Sequence, residues 1–269
     1  MKAGYTQLLL TRQGSVHHLV LNRPQRHNAQ TPTMWDELSR AGAELAADPS
    51  VRVLVVRGSG PSFSSGIDLA ELAPSGFIGR VAATSPPIRN GDPDPGVRMI
   101  REAQRAFSWI QHARFPVVAA VHGAAIGAGF QLALACDLRF VAANARLGLA
   151  EARLGVIPDL GATAVLPRLV GIERALDLMV TARELSGDQA CREGLALRSV
   201  PEGELDAAAS DYAAAVAALA PGVVEHIKKA TAASDPERNL QLAALGQAEC
   251  VRRRFGPHAQ HDAAIRTAP

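Results

Sequence analysis

Hydrophobic and polar positions at the beginning of the chain follow two different periods. Residues 7–12 and 16–21 are short apolar or alternating runs on either side of Gly14, and this pattern predicts a β-hairpin. Thr31 is followed by proline, which is the sequence of a capped helix start. Residues 51–57 are largely apolar and predict a buried strand. The pattern therefore predicts a hairpin, a helix and a strand, in that order.

A unit of strand, turn and helix then occurs twice. The first unit consists of the strand over residues 51–57, a turn, and a short helix predicted over residues 66–72. The second consists of an apolar strand over residues 117–122 and a helix that begins at Gly127. Residues 137–143 predict one more strand. Strands that alternate with helices in this way are typical of a mixed α/β fold.

Two segments between these units need separate interpretation. Residues 74–96 are rich in proline and glycine, which predicts irregular chain, either a mobile flap beside a pocket or a plain surface insertion. Residues 100–112 have apolar positions at three-and-four spacing and predict an amphipathic helix.

Residues 116–135 have about the length of a membrane span, but they include His122 and Gln131. We therefore interpret them as a buried strand, a turn and a buried helix.

The chain becomes rich in alanine after Pro201. A helix is predicted there, because one face carries apolar residues, namely Leu205, Ala209, Tyr212, Val216 and Leu219. Pro221 and Pro236 are expected to begin further helices. We place a domain boundary near residue 200, between a mixed α/β part over residues 1–200 and a helical region over residues 201–269.

Composition narrows the class of protein. The 269 residues include 28 Lys and Arg against 26 Asp and Glu, a net charge of +2, and 48% are hydrophobic, as in an ordinary globular protein. This balance disfavours binding to nucleic acid through bulk charge. The widely spaced Cys136, Cys191 and Cys250 support neither a disulfide framework nor a zinc site. With no signal-peptide core near the start, we expect a reducing, cytoplasmic location.

Two glycine-rich turns could bind an anion. Residues 64–67 and 127–129 each lie where a helix is predicted to begin, and the first amide groups of a helix lack acceptors and carry partial positive charge. Spacing does not bring the two turns together, and each turn alone is more typical of packing or capping. A dinucleotide-binding fingerprint, a phosphate-binding loop and a nucleophile elbow are absent from the sequence.

Candidate acid–base residues lie in one apolar run. Glu151 and Asp159 fall within residues 147–169, and apolar surroundings raise the pKa of a carboxyl group toward neutral pH, as proton transfer requires. Spacing alone nevertheless favours a surface ion pair of Glu151 with Arg153 or Arg146. Neighbouring histidines, His17 with His18 and His258 with His261, lack partners at ligand spacing. We expect surface histidines there, and no metal site.

Longer motifs carry a family resemblance. They are LNRP at residues 21–24 with Asn28-Ala29, FSSGIDL at 63–69, PVVAAVHGAAIGAG at 116–129, LALACD at 132–137, and ARLGLAE at 145–151 continuing to Ile157-Pro158. Over roughly residues 5–200 the sequence resembles the crotonase, or enoyl-CoA hydratase/isomerase, family. The resemblance implies a spiral of β-β-α turns with a helical C-terminal part that forms homotrimers, usually paired as hexamers. It also implies an acyl-CoA thioester substrate, with no cofactor because coenzyme A belongs to the substrate.

The resemblance also implies roles for individual residues. The backbone amides of Ile67 and Ala128 would form an oxyanion hole for the thioester carbonyl, where charge that develops on the oxygen is stabilised by preset dipoles. Gly127 and Gln131 would lie in the wall of the same pocket. Coenzyme A would be bound by residues near the two early motifs, namely Arg26, His27, Ala29, Ser65, Gly66, Asp68 and Leu69.

The carboxylates depart from the hydratase pattern of this family. Hydratases carry glutamates at the positions of Gln131 and Glu151, and a glutamine does not exchange protons at neutral pH. Asp159 stands where dienoyl-CoA isomerases of the family carry an aspartate, although those enzymes usually have another at the position of Gln131. We therefore expect double-bond isomerisation of an enoyl- or dienoyl-CoA. The alternatives are a hydratase with Glu151 as its sole acid and base, and a non-catalytic acyl-CoA-binding or RNA-binding relative.

Overall fold

The structure, a computed structural model, describes residues 4–84 and 94–256. Part of the proline- and glycine-rich stretch, and both His258 and His261, therefore lie outside the described residues. The chain divides into two compact units, and the division falls between Ala217 and Ala218. This is later than the boundary that we placed near residue 200, because the helix that follows Pro201 packs within the first unit.

The first unit contains two sheets. The larger has the order β1-β2-β3-β4-β6-β9 and the smaller the order β5-β7-β8. In the larger sheet β1 pairs antiparallel with β2, and the other neighbouring strands are parallel. In the smaller sheet β5 and β7 are parallel, and β8 pairs antiparallel with β7. The strands are β1 Leu8–Gln13, β2 Val16–Leu21, β3 Val53–Gly58, β4 Val117–Val121, β5 Ala124–Ile126, β6 Leu138–Ala142, β7 Arg146–Gly148, β8 Leu185–Ser186 and β9 Arg198–Val200.

Helices lie between some of the successive strands, and short turns join the others. The chain passes from β4 to β5, through α4 to β6 and β7, and through further helices to β8 and β9, so that it alternates between the sheets in a spiral. The helices are α1 Pro32–Ala47, α2 Phe77–Thr84, α3 Pro95–His112, α4 Ala128–Ala135, α5 Ala162–Val170, α6 Ile172–Thr181, α7 Gly187–Arg192, α8 Leu205–Ala217, α9 Val223–Thr231 and α10 Pro236–Phe255. The predicted mixed α/β fold with a helical C-terminal part is confirmed.

The strongly periodic predictions at the start of the chain are confirmed. Strands β1 and β2 form the predicted hairpin. Thr31 caps α1, because its side chain accepts a hydrogen bond from Met34 N, and Pro32 occupies the first turn. The buried face of α1 follows helical spacing, and its apolar members are Met34, Trp35, Leu38, Ala41 and Leu45. Full burial of each large side chain contributes about 1.5–3 kcal/mol.

Two local predictions are wrong. Residues 66–72 do not form one short helix, because the chain at Ile67 is held extended by a parallel bridge to Gln30, and only Leu69–Leu72 makes a turn of 3-10 helix. The stretch over residues 74–96 is not wholly irregular, since it contains α2. Phe77, the first residue of α2, is buried in the core. Its packing there stabilises a helix despite the tendency of the surrounding prolines and glycines toward irregular chain.

The paired histidines His17 and His18 are buried, not exposed as we expected. Both lie on β2, a strand with neighbours on each side, and only 3% and 8% of their surfaces are accessible. Burial lowers the pKa of His18, and the positive charge of Arg57 lowers it further. Across the described residues, groups of three or more His, Cys, Asp or Glu side chains that could hold a metal ion are absent.

The alanine-rich helix α8 belongs to the first unit. It buries Leu205, Ala209 and Ala213 and packs on β2, β3, β4 and β6. The second unit contains α9 and α10, and α10 is capped by Asp235, whose carboxylate accepts a hydrogen bond from Arg238 N. Among the described residues, the helices are all too short or too polar to cross a membrane.

Candidate functional site

Two of the predicted motifs lie side by side. Ser65 N donates to His27 O at 2.9 Å, Gln30 N donates to Gly66 O at 2.7 Å, and Asp68 N donates to Gln30 O at 2.8 Å. These bonds align residues 26–30 with residues 64–68 as a short parallel pair. The structure thereby brings together most of the residues that were expected to bind coenzyme A.

The side chains of this pair have distinct surroundings. Asp68 is buried and accepts from Arg23 Nη1 at 2.9 Å and Arg26 Nη2 at 3.2 Å. Burial alone raises the pKa of Asp68, but the Ala70 amide and the two guanidinium groups outweigh it and hold that pKa below its usual range. Asp68 is thus a structural link between the motifs. By contrast, His27, Ser65 and Leu69 are exposed, as is most of the Arg26 side chain.

The second glycine-rich turn meets the first at very short range. A Cβ atom on Gly66 would lie 2.7 Å from Ile126 O and 3.7 Å from Ala128 N, and one on Gly129 would lie 2.2 Å from Ser64 O. Side chains at Gly66 and Gly129 would therefore force the two segments apart. The glycines allow residues 64–67 and the N-terminal end of α4 to contact each other.

This contact places two amide groups near each other. Ala128 is the first residue of α4, and Ile67 directly follows Gly66. Within residues 4–84 and 94–256, neither the Ile67 amide nor the Ala128 amide donates a hydrogen bond to another residue. Both N–H groups thus have no protein acceptor in these ranges, and the Ala128 amide has the added field of the helix N-terminus.

The other end of α4 is held by a buried arginine. Arg139 donates to the carbonyl oxygens of Ala133, Cys136 and Leu195 at 3.3, 2.6 and 2.6 Å. The last carbonyl groups of a helix lack amide partners, and a cation there complements the helix dipole. Helix α4 is consequently fixed at its C-terminal end by charge and at its N-terminal end by close packing.

Gln131, one turn into α4, has a fixed amide orientation. Its Oε1 atom accepts from Leu160 N at 2.8 Å and from Ala162 N at 3.3 Å, so its Nε2 atom points the other way and donates to Glu151 Oε1 at 2.8 Å. The side chain is 1% exposed. Gln131 therefore lies in the interior as a neutral group that orients Glu151.

Glu151 is a buried carboxylate with one free oxygen. It begins a turn of 3-10 helix after β7, and a Cβ atom on Gly127 would lie 3.3 Å from its Oε1 atom. Its Oε2 atom is buried and has no hydrogen-bond partner within the described part of the chain. Burial raises the pKa of Glu151 and the nearby charge of Asp159 adds to this, while hydrogen bonding from the Glu151 main chain, the Gln131 side chain and the Ala150 main chain acts in the opposite direction.

The surface ion pair that spacing favoured for Glu151 is therefore wrong. Arg146 instead pairs with Glu184 at 2.8 Å, and Arg153 lies on the exposed side of the 3-10 turn. The physical reason is that β7 carries the chain into the interior just before Glu151, with Leu147 and Leu149 both buried.

Asp159 is the second carboxylate of the site. It lies in the segment between the 3-10 turn and α5, and Gln104 of α3 donates through its Nε2 atom to Asp159 O at 2.8 Å. Burial raises the pKa of Asp159 as well. The charge of Asp159 contributes to the raised pKa of Glu151, so the two acidic groups lie close enough to influence each other, and Glu151 also lies beside Gly127, the residue before α4.

Sequence reasoning did not identify the glutamines that hold this site. Gln30 and Gln104 each contact a segment that lies far away in sequence, through bonds to Ala128 O at 3.2 Å and Asp159 O at 2.8 Å. Neither residue belongs to a recognisable motif. The signal in the sequence is weak, because a glutamine on a helix or in a loop is ordinarily exposed.

Comparisons with known proteins show the family of this chain. A family model described as enoyl-CoA hydratase/isomerase matches residues 11–252. A Mycobacterium tuberculosis protein assigned as an enoyl-CoA hydratase is 30% identical over 226 residues, which cover 84% of this chain and 81% of that protein. The chain therefore belongs to the enoyl-CoA hydratase/isomerase family, also called the crotonase family, and the resemblance drawn from its motifs is confirmed.

Relatives with a second activity show higher identity to this chain, over a smaller share of their own length, than the Mycobacterium tuberculosis protein does. The peroxisomal Delta(3,5)-Delta(2,4)-dienoyl-CoA isomerase of Arabidopsis thaliana is 37% identical over 181 residues, or 67% of this chain, and the human mitochondrial enzyme of that name is 34% identical over 224 residues, or 80%. The match spans 64% and 65% of the lengths of these two isomerases, just under two thirds.

Solved structures show the same fold. A Thermobifida fusca protein assigned as an enoyl-CoA hydratase, in complex with acetoacetyl-CoA, superposes with a TM-score of 0.82 at 34% identity, over 93% of this chain and 96% of that one. The enoyl-CoA hydratase from Bacillus anthracis gives a TM-score of 0.80 at 28% identity, over 92% of each chain.

Proposed function

We propose that this protein moves a double bond along the acyl chain of an enoyl- or dienoyl-CoA thioester, with Glu151 and Asp159 as its acid–base groups. The observation that carries the proposal is the buried Oε2 atom of Glu151, which has no partner in the described residues although it can accept a hydrogen bond. A buried polar atom of this kind costs stability. Such a cost is typical of an atom that is reserved for substrate.

The reaction needs one proton to leave the acyl chain and one to arrive. One carboxylate takes a proton from the carbon next to the thioester, and the electron pair moves onto the thioester oxygen as an enolate. The other carboxyl group delivers a proton farther along the conjugated chain, the enolate collapses, and the double bond is displaced. Two acids whose pKa values are both raised by burial suit these steps, because each can exchange a proton near neutral pH.

The enolate oxygen would be held by the amides of Ile67 and Ala128. Their free N–H groups, and the contact between Gly66 and Ala128 N, support this assignment. A preset donor of this kind typically contributes about 2.7–4 kcal/mol to transition-state stabilisation. No step requires a further cofactor, since both proton transfers use the chain's own side chains and coenzyme A is part of the substrate.

Gln131 favours isomerisation over hydration. Addition of water needs a base that accepts a proton from it, and the Gln131 amide does not ionise. Its oxygen already accepts from Leu160 N and Ala162 N, and its nitrogen donates to Glu151. Gln131 thus orients the carboxylate of Glu151 and is not itself an acid or base. The dienoyl-CoA isomerases among the relatives support the same choice, while relatives assigned as hydratases keep hydration as the alternative to be tested.

A coenzyme A thioester is the substrate class that the family and the complex with acetoacetyl-CoA support. We place the coenzyme A moiety along the aligned pair formed by residues 26–30 and 64–68. His27, Ser65 and Leu69 are exposed there, and the Arg26 guanidinium, which contacts Asp68, retains half of its surface for an anionic group.

The test is a direct comparison of two reactions. Purified protein is given a 3,5-dienoyl-CoA and a trans-2-enoyl-CoA, and conjugation of the first and loss of conjugation in the second are followed by ultraviolet absorbance. We expect turnover of the dienoyl substrate to exceed hydration. Hydration as the faster reaction would contradict isomerisation, and tight binding without turnover of either would favour a non-catalytic acyl-CoA-binding protein.

We also propose that the second unit mediates assembly into trimers or hexamers. Its helices leave large apolar side chains exposed, namely Ile227, Leu240, Leu245, Val251 and Phe255. Exposed apolar side chains in this number are typical of an interface between protein chains. Sedimentation at micromolar concentration should give a trimer or a multiple of it, and a monomer alone would contradict this.

A further inference from the structure

Gln30 is a buried residue that touches both halves of the candidate oxyanion hole. Its backbone brackets Ile67, because Gln30 N donates to Gly66 O at 2.7 Å and Gln30 O accepts from Asp68 N at 2.8 Å. The side chain is fully buried, with no accessible surface. The residue therefore fixes the position of one of the two free amides through main-chain bonds.

The side chain of Gln30 reaches the other half. Its Nε2 atom donates to Ala128 O at 3.2 Å and to Ser64 Oγ at 3.3 Å, and its Oε1 atom accepts from Trp35 Nε1 at 2.9 Å. Trp35 is itself immobilised, since its ring packs edge-on against Phe77 with centroids 5.0 Å apart. Both ends of the Gln30 amide are thus paired, and its orientation is fixed.

We infer that Gln30 is a positioning residue that sets the separation between the amides of Ile67 and Ala128. This inference rests on the proposed function, in which those amides hold the thioester oxygen. An oxyanion hole depends on donors that are already in place, about 2.7–3.1 Å from the oxygen, before the reaction begins. Here the two donors lie on segments that are distant in sequence, and Gln30 is bonded to both.

The chemistry of the side chain matters, not only its volume. A methionine fills nearly the same space, but it has no donor for Ala128 O, and its sulfur is only a weak acceptor for Trp35 Nε1. The glycines at 66 and 129 let the two segments approach each other, and main-chain bonds from Ser64 N to Ala124 O and from Ile126 N to Ser64 O align them ahead of the two donor amides. The Gln30 amide adds directed hydrogen bonds beside the donors themselves, and these resist a small sliding motion because sliding would lengthen them.

The variant Gln30→Met tests this inference. We expect kcat for the dienoyl substrate to fall about 10- to 100-fold, because a small displacement of a transition-state donor has effects of this size. We expect the dissociation constant of the acyl-CoA to change less than about 3-fold, because most binding contacts involve coenzyme A. A dienoyl-CoA bound to the variant should also show a smaller red shift of its ultraviolet absorption maximum, since that shift reports polarisation of the thioester carbonyl.

A matched control separates positioning from stability. Leu45→Val alters a buried side chain of α1, the helix that begins just after Gln30, at the end of that helix away from Gln30. It should lower the melting temperature, yet leave kcat and the red shift unchanged. Equal loss of kcat in both variants, or an unchanged red shift in Gln30→Met, would overturn the inference. Absence of any red shift in the unaltered protein would instead contradict the proposed oxyanion hole itself.

A second variant keeps the inference testable if Gln30→Met does not fold. Gln30→Glu retains an acceptor for Trp35 Nε1, and only its protonated form can donate to Ala128 O. The ratio of its kcat to that of the unaltered protein should therefore rise as pH falls. A ratio that is close to one and independent of pH would show that the contact with Ala128 does not position the site.

Discussion

Two buried glutamates of this chain illustrate how a structural acid differs from a chemical one. Glu37 on α1 is 2% exposed and Glu151 is 9% exposed. Glu37 accepts hydrogen bonds from Thr6 N and Thr6 Oγ1 at 2.7 Å each and from Gln7 N at 2.9 Å, so both of its oxygens are used. Glu151 accepts one bond from Gln131 and leaves its Oε2 atom unpaired among the described residues.

The difference lies in what each carboxylate stabilises. The donors around Glu37 belong to the segment before β1, so the bonds attach the beginning of the chain to α1. Among the described residues the only side-chain donor to Glu151 is the neutral amide of Gln131, and the carboxylate lies beside Gly127 and within the field of Asp159. A fully paired buried acid contributes to folding, while a half-paired one remains available to exchange protons.

The variant Glu151→Gln should show the largest effect. We expect isomerisation to fall about 10²- to 10⁴-fold, because that is the usual contribution of a general acid or base. Binding of the acyl-CoA should persist, since the amide preserves the shape of the side chain. Steady-state rates and a binding titration with a substrate analogue measure both quantities. Unchanged rates would remove Glu151 from the mechanism.

The variant Glu37→Gln should have the opposite profile. An amide keeps one acceptor but turns an NH2 group toward backbone donors, so we expect a loss of about 1–3 kcal/mol in the free energy of unfolding. Chemical denaturation measures this loss. At temperatures below the transition, kcat should stay within about 2-fold of the unaltered protein, because surface and structural changes distant from a site ordinarily leave chemistry intact. A large drop in kcat there would break the comparison.

The variant Asp159→Asn tests the second acid. We expect turnover of a dienoyl-CoA to fall on the order of 10-fold or more, and turnover of a monoenoyl-CoA to fall less, because the longer displacement needs a second proton-transfer group. The ratio of the two rates is the informative measurement. An equal loss on both substrates would assign Asp159 to binding or to the conformation of its segment.

The variant Gln131→Glu tests whether position 131 is the missing half of a hydratase pair. Its carboxylate would face Glu151 Oε1 across the 2.8 Å that now separates Gln131 Nε2 from that atom. The two acids would then share a proton, with the pKa of the pair raised. We expect hydration of a 2-enoyl-CoA to rise on the order of 10-fold. If the variant folds and hydration does not increase, position 131 is not the missing half of a hydratase pair.

The smallest expected effect concerns pH and stability. Because burial raises the pKa of Glu151 in the folded state, the native protein binds that proton more tightly than the unfolded chain does. The stability that it contributes is complete below the unfolded pKa of about 4.3 and is lost as pH rises through the folded pKa. Glu151→Gln should therefore gain stability over the unaltered protein as pH increases. Melting temperatures across pH 4–8 would contradict this if the difference stayed constant.

Much of the fold could be predicted from the sequence because its apolar residues recur with clear strand or helix spacing. The hairpin around Gly14, the capped start of α1 and the apolar strand β4 each follow from local pattern. The predictions failed where tertiary contacts override local composition, as at the bridge between Gln30 and Ile67. The prediction that His17 and His18 are exposed failed for a similar reason. Nothing in the local sequence shows that β2 has a neighbouring strand on each side.

The candidate site could be predicted only in part. Motif resemblance named Glu151, Asp159 and the two amide positions, and the structure brings them into one neighbourhood. The orientation of Gln131 was beyond the sequence, because it is determined by Leu160 N and Ala162 N, about 30 residues away. A chain pattern indicates which residue types are present but not which end of an amide faces a carboxylate.

The segment that carries Asp159 is held from outside by two glutamines. Gln104 on α3 binds Asp159 O, and Gln131 on α4 binds the amides of Leu160 and Ala162. The position of this segment is therefore determined by side chains of the neighbouring helices α3 and α4. We therefore expect that exchanging residues 152–158 for a loop of another length or composition, with both glutamines kept, leaves the main chain of Asp159 in its present position.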